Sequence, residues 1–245
     1  MPHCRSDWGA QMGASSGLVA SGELENVPVS QAPAPVISSW DDWCPAAADY
    51  LHDVSGIHGA GHAGRVMVWA SLIGGWMQQQ GIAVDLDVVR WSATLHDVRR
   101  LHDGHDPLHG ARCSAWIREG GFAASHGLPA SRLNADQLDQ IAYCCTWHVP
   151  PDQAAPVMTP ELTCLKDADA LDRVRLGGLN RRFLRTGFAA ALVQQAQFLC
   201  DTSEVQCGFR QDQWRAVRQA AQRMGIWSSP DDIRSQVDQL HFFVT

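Results

Sequence analysis

A histidine and an aspartate stand next to each other at positions 96 and 97, at the end of an apolar segment. One nitrogen donor and one hard oxygen donor, side by side, suit a divalent cation better than they suit a hydrophobic core. Two further candidates, His62 and Asp169, lie before and after this pair in the chain. These residue types indicate a metal site assembled from distant segments.

The segments that carry these residues have helical periodicity. Apolar residues from Val66 to Met77 recur at helical spacing, and capping signals such as Asn134 with Gln137 mark helix starts. No convincing pair of alternating strands is present, so the sequence predicts an all-α fold. The predicted helices cover 61–79, 86–97, 109–119, 135–148, a segment beginning at Thr159-Pro160-Glu161, 180–200, 210–224 and a last one after Ser229-Pro230-Asp231.

Helical geometry also predicts the direction of the polar side chains. Apolar residues precede both His96 and His148 by three and by seven positions, so both imidazoles are expected to point inward. The same spacing favours Asp169 as the buried carboxylate, with Asp167 nearly opposite it. Because an ionised aspartate buried without a partner costs on the order of several kcal/mol, these groups are expected to converge on a cation.

Length, composition and net charge restrict the classes of protein to which this chain can belong. With 245 residues, 45% of them hydrophobic, the chain can form one large domain, and its net charge of -7 argues against general nucleic-acid binding. Residues 1–38 are rich in Gly, Ala, Ser and Pro, which predicts a flexible tail before a domain over 39–245. Eight scattered cysteines without Cys-x-x-Cys, no secretory signal and no long apolar run favour a cytoplasmic protein without a membrane span.

Several motifs together resemble one known family. The segments His62-Ala63-Gly64-Arg65-Val66, Leu95-His96-Asp97-Val98-Arg99-Arg100 and Lys166-Asp167-Ala168-Asp169-Ala170-Leu171-Asp172 resemble the motifs of HD-domain metal-dependent phosphohydrolases. Asp106-Pro107-Leu108-His109-Gly110 and Trp147-His148 resemble its bacterial branch of nucleotide phosphohydrolases and pyrophosphohydrolases. The resemblance covers about 45–190.

The resemblance implies an HD-type helical bundle with a metal held by His62, His96, Asp97 and Asp169, and it also makes Asp97 the expected catalytic residue. The cation would be Mn, Co, Ni, Fe or Mg, and nitrogen ligands favour the transition metals. The implied reaction is the hydrolysis of a phosphoester or phosphoanhydride in a small phosphorylated substrate, with a nucleotide as the first choice.

The roles of several neighbouring residues stay open at this point. His109 and His148 would be ligands of a second metal or contacts to the substrate. Where some HD nucleotidases carry a water-orienting Glu, this chain has Arg100, which is suited to binding phosphate. The general base would then come from Asp103, His105, Asp106 or His109. Candidate phosphate contacts are Arg100, Arg65, Lys166, His58 and His105, and Arg65 and Lys166 are equally plausible as structural ion pairs.

Two rival functions fit the same residues. A di-iron oxygenase on this scaffold would use His109 and His148 as additional iron ligands and would perform no phosphate chemistry. A non-catalytic module would keep the pocket in order to sense a nucleotide. Trp-rich helices at both ends of the domain further suggest a homodimer.

Overall fold

The computed structural model describes residues 39–205, 212–227 and 237. This part of the chain contains helices and no strand, so the predicted all-α fold is confirmed. The predicted tail over 1–38 and the helix start at Ser229-Pro230-Asp231 lie outside the described residues. The helices are α1 (Ala60–Gln79), α2 (Leu86–Leu95), α3 (His109–Arg118), α4 (Gly121–His126), α5 (Leu128–Ser131), α6 (Ala135–Trp147), α7 (Pro160–Asp172), α8 (Gly187–Ala191), α9 (Val193–Val205) and α10 (Gln213–Arg223).

Helix α1 forms the centre of the bundle. It packs against α2, α7 and α10, while α3 packs against α6. Every residue from Gly61 to Gly75 is buried, which requires a helix that is largely apolar on all sides rather than on one stripe. Trp69 and Ile73 are fully buried there. The few polar side chains on α1 are therefore placed among neighbouring helices and not in solvent.

Local capping explains why most predicted helix boundaries agree with the structure to within about two residues. The side chain of Asn134 accepts a hydrogen bond from the backbone N–H of Gln137, and Thr159 does the same for Leu162. The helix predicted over 180–200 is wrong as a single element, because Asn180 and Thr186 each cap a new start. The segment consists of a 3₁₀ turn at Arg181–Phe183 followed by α8 and α9.

The ends of four helices meet at one place in this bundle. His62 is in the first turn of α1, His109 is the first residue of α3, and His96 and His148 directly follow α2 and α6.

None of the helices in the described ranges is long and apolar enough to cross a membrane. The cysteines in these ranges are free thiols, and the predicted homodimer stays a prediction.

Candidate metal centre

The structure brings together the four residues that the sequence nominated as metal ligands. The Nε2 atoms of His62 and His96 lie 3.1 Å apart. Nε2 of His62 is 3.5 Å from Oδ2 of Asp97 and 3.5 Å from Oδ1 of Asp169. Nε2 of His96 lies 3.7 and 3.9 Å from the same two oxygens. Segments more than 100 positions apart in the chain thus place their donor atoms within joint reach of one cation.

Two further histidines approach the other oxygen of Asp97. Nε2 of His109 is 2.9 Å from Oδ1 of Asp97, and Nε2 of His148 is 3.8 Å from it. The two Nε2 atoms lie 2.8 Å apart. The carboxylate of Asp97 therefore stands between two groups of histidines, with one oxygen facing each group.

His58 also belongs to this cluster, although the sequence suggested it only as a candidate phosphate contact. Its Nδ1 lies 2.7 Å from Oδ2 of Asp97. The residue lies in the turn before α1, and its side chain is 18% exposed. The spacing of four residues to His62 was the available signal, but the intervening Gly-Ala-Gly gave no indication of direction.

The histidines present their Nε2 atoms because their Nδ1 atoms are anchored elsewhere. Nδ1 of His96, His109 and His148 donates to the carbonyl oxygen three residues earlier, at Ala93, Asp106 and Cys145. For His96 and His148 that carbonyl belongs to the last turn of a helix, where carbonyl groups lack an intrahelical partner. A carbonyl only accepts, so in the neutral imidazole each Nε2 carries a lone pair directed at the cluster.

Burial and charge complete the chemical character of this cluster. Burial lowers the pKa of His96 to about 3, so its imidazole is neutral at ordinary pH. Burial raises the pKa of Asp97, but His96 and the other surrounding histidines hold it well below its usual value. The cluster thus combines imidazole nitrogens with carboxylate oxygens, and this buried group can hold a metal ion.

A buried ion pair supports the cluster from behind. Nδ1 of His62 donates to Oδ2 of Asp172 at 2.7 Å, and Nε of Arg65 donates to Oδ1 of the same carboxylate at 2.6 Å. Such a carboxylate fixes the orientation and tautomer of the ligating imidazole. Arg65 is therefore engaged in the structural ion pair, which was one of its two predicted roles, and is not available as a phosphate contact.

The predicted burial of the two aspartates of α7 is wrong. Asp167 is fully buried, whereas the side chain of Asp169 is 35% exposed. Asp167 accepts hydrogen bonds from the backbone N–H groups of Arg185 and Thr186, so the chain after the 3₁₀ turn covers that face of α7. Asp169 faces the cluster and an adjoining cavity. Helical spacing predicted that the two residues point apart but not which face the later chain covers.

The cluster forms one wall of a cavity of about 330 Å³. Arg100 lies beside it, with Nη1 3.5 Å from Oδ1 of Asp97, and Arg173 and Arg175 line it as well. His105 is exposed and does not line this cavity, which argues against its predicted phosphate contact. Of the predicted bases, Asp106 is buried and engaged with Arg112 and the backbone N–H of Leu101, while Asp103 and His109 line the cavity.

Lys166 lies farther from the cluster and is held in an ion pair. Its Nζ donates to Oδ1 of Asp152 at 2.8 Å and to the carbonyl oxygen of Pro150 at 2.6 Å.

No protein-family model, curated protein or solved structure matches the chain.

Gly110 sets the separation of α3 and α6 and yields a first testable prediction. A Cβ atom at this position would lie 2.2 Å from the carbonyl oxygen of Cys145 and 3.1 Å from the ring of His148. We expect Gly110→Ala to lower the free energy of unfolding by about 2 kcal/mol, the usual cost of overpacking. It should also weaken metal binding, because His109 and His148 must move apart.

The measurement is chemical denaturation of the metal-free and metal-loaded protein. Gly187→Ala is the matched control, because Gly187 begins α8 and nothing lies within 4 Å of an added Cβ. The control should be neutral or slightly stabilising. Equal stability of Gly110→Ala and the wild type would show that α3 and α6 are not in close contact here.

Proposed function

We propose that this protein is a metal-dependent phosphohydrolase that acts on a small phosphorylated substrate, with a nucleotide as the first candidate. The observation that carries the proposal is the cluster of inward-directed Nε2 atoms around Asp97 and Asp169. Unprotonated nitrogens and ionised carboxylates repel one another at these distances unless a metal ion or a shared proton lies between them. The residue types present therefore fit a divalent metal.

The proposed ligands of the principal metal are His62, His96, Asp97 and Asp169. A divalent cation bound there would supply a nucleophilic water of lowered pKa and Lewis-acid activation of a phosphoryl oxygen. The two imidazole ligands favour a transition metal such as Mn, Co, Ni or Fe over Mg. The predicted catalytic role of Asp97 is part of this proposal. One of its oxygens lies near His62 and His96, and the other lies near His109 and His148.

The remaining residues of the cavity are suited to a phosphorylated substrate. Arg100, Arg173 and Arg175 line the same cavity as Asp97, and a guanidinium group binds phosphate through paired N–H donors. Arg100 already donates from Nη2 to the carbonyl oxygen of Gly104, which fixes the plane of its guanidinium. Arg100 and Arg175 would orient the phosphoryl group for attack and offset its negative charge.

The position of Asp97 between two groups of histidines favours a second candidate function. If His109 and His148 hold a second metal together with Oδ1 of Asp97, the site has the ligands of a dinuclear centre. Phosphodiester hydrolysis and di-iron oxygenation both use such centres. About two irons per chain together with oxygen uptake would support the oxygenase, whereas one metal per chain would exclude it.

The test of the proposal is a metal-by-substrate screen with elemental analysis of the purified protein. We expect release of phosphate or pyrophosphate from at least one phosphorylated substrate, inhibition by a chelator, and loss of this activity in His96→Ala. His102→Ala is the matched control, since His102 is exposed outside the cluster. Hydrolysis that survives both chelation and His96→Ala would contradict the proposal. Saturable nucleotide binding without turnover on any divalent metal would support a sensing module instead.

A further inference from the structure

A second cavity adjoins the candidate metal centre and is not used by the functions proposed so far. It has a volume of about 560 Å³ and shares His148, Val149, Asp169 and Arg173 with the first cavity. Its far wall is formed by the segment after α6 and by the 3₁₀ turn at Arg181–Phe183. A ligand bound at the metal ligands would therefore extend into this second cavity past Asp169 and His148.

The walls of the second cavity carry an excess of positive charge. Four cationic side chains line it, against the carboxylates of Asp152 and Asp169. The four cations are Lys166, Arg173, Arg182 and Arg185. Since Asp169 faces the metal centre, Asp152 is the one carboxylate on the wall that offsets these cations.

Two of the four cations form ion pairs with Asp152, and the other two do not form ion pairs with any described residue. Arg185 donates to Asp152 from Nη2 at 2.6 Å, and Lys166 donates to the same carboxylate. Arg173 and Arg182 are exposed, and neither guanidinium has a hydrogen-bond or ion-pair partner among the described residues. Unpaired guanidinium groups on a cavity wall are typical binding groups for phosphate.

An aromatic side chain stands beside these cations. Phe183 lines the same cavity and is 63% exposed, although it is large and apolar. The pocket therefore combines anion-binding groups with an apolar surface for an organic group. The volumes of the two cavities lie in the range of about 300–1,000 Å³ that is usual for small-molecule sites.

We infer that this basic pocket, formed by Arg173, Arg182 and Phe183, binds the leaving group of the substrate and that this leaving group carries its own phosphate. The inference rests on the proposed hydrolase function and narrows it to substrates with two or more phosphate groups. For ADP, a water oxygen would bond to the terminal phosphorus and the bond from that phosphorus to the bridging oxygen would break. The products would be AMP and inorganic phosphate, with one proton released to solvent.

The first experiment compares ADP with p-nitrophenyl phosphate, whose leaving group has no phosphate. We expect Arg173→Ala and Arg182→Ala each to lower kcat/KM for ADP relative to p-nitrophenyl phosphate by about tenfold, the effect of losing one hydrogen bond to a charged group. Arg181→Ala is the matched control, because Arg181 is an exposed neighbour of the same charge that does not line the pocket. The control should leave the ratio unchanged.

The second experiment measures binding without turnover. Calorimetric titration of the purified protein with inorganic pyrophosphate and with inorganic phosphate gives the ratio of their dissociation constants. We expect Arg182→Ala to reduce the preference for pyrophosphate by about tenfold, and Arg181→Ala to leave it intact. A chelator added to the titration prevents metal-dependent hydrolysis of pyrophosphate, so this readout does not depend on catalytic activity.

The outcomes separate the inference from the proposed function. Turnover of both substrates with an unchanged ratio in Arg173→Ala and Arg182→Ala would overturn the inference and leave the hydrolase proposal standing. Absence of turnover with every substrate and metal would overturn the hydrolase proposal. In that case the ratio of the dissociation constants for pyrophosphate and phosphate tests the pocket by itself. An equal ratio in Arg182→Ala and the wild type would show that the pocket does not bind the second phosphate, and would overturn the inference as well.

Discussion

Replacing Asp97 by Asn should remove bound metal and hydrolytic activity together. Within the described ranges, the Asp97 carboxylate approaches both sets of histidines, one with each oxygen. An amide nitrogen in place of either oxygen would direct N–H groups at the metal position. We expect metal affinity to fall by about 100-fold or more, since even outer-shell partners of a metal ligand contribute about 10- to 100-fold. Elemental analysis after gel filtration, paired with an activity assay, measures the effect.

The control for this prediction is Asp139→Asn. Asp139 is an aspartate on α6 whose side chain is 73% exposed and lies 3.4 Å from Arg118 at the surface. It should retain the wild-type metal content and activity. If Asp97→Asn bound as much metal as the wild type, the role of Asp97 between the two groups of histidines would be wrong. Circular dichroism should show that both variants remain helical.

Replacing Asp172 by Asn should have the largest effect on stability. The carboxylate of Asp172 is fully buried and holds Arg65, which is 5% exposed, as well as the ring of His62. Breaking a buried pair leaves an uncompensated charge and costs about 3–5 kcal/mol. We expect a loss of this size in the free energy of unfolding and a weaker metal affinity through the misoriented His62. Chemical denaturation with and without metal measures both.

The pH dependence of unfolding gives an independent check on Asp172. Burial raises the pKa of this carboxyl, but the guanidinium of Arg65 and the ring of His62 lower it by a larger amount. The folded-state pKa therefore lies well below the usual value. The pair therefore stabilises the protein fully above a pH of about 4, and this contribution is lost as the pH falls towards the folded-state pKa. The loss of stability between about pH 4 and pH 2 should be smaller in Asp172→Asn than in the wild type.

Asp139→Asn again serves as the comparison, because it removes a carboxylate without breaking a buried pair. A change of less than about 1 kcal/mol in Asp172→Asn would contradict the prediction, since surface substitutions typically stay within about 0.5 kcal/mol. Reduced metal affinity with unchanged stability would assign Asp172 only to the orientation of His62.

Much of the local structure could be predicted from the chain because the interactions responsible are short in sequence. The caps at Asn134 and Thr159 act over three residues, and helical periodicity places His96 and His148 on inward faces. The nominated ligands His62, His96, Asp97 and Asp169 are close in the structure. The identification of their metal and reaction is still a proposal.

The remaining features depend on contacts between segments that are far apart. Arg65 meets Asp172 across 107 positions, and His58 meets Asp97 across 39. The burial of Asp167 follows from the later chain at Arg185, which no periodicity within α7 encodes. The sequence alone therefore determined which residues could form helices and ligate a cation. Tertiary packing decided which charges are paired and which, such as Arg173 and Arg182, line a cavity, because burial and pairing are properties of neighbours brought together only by the fold.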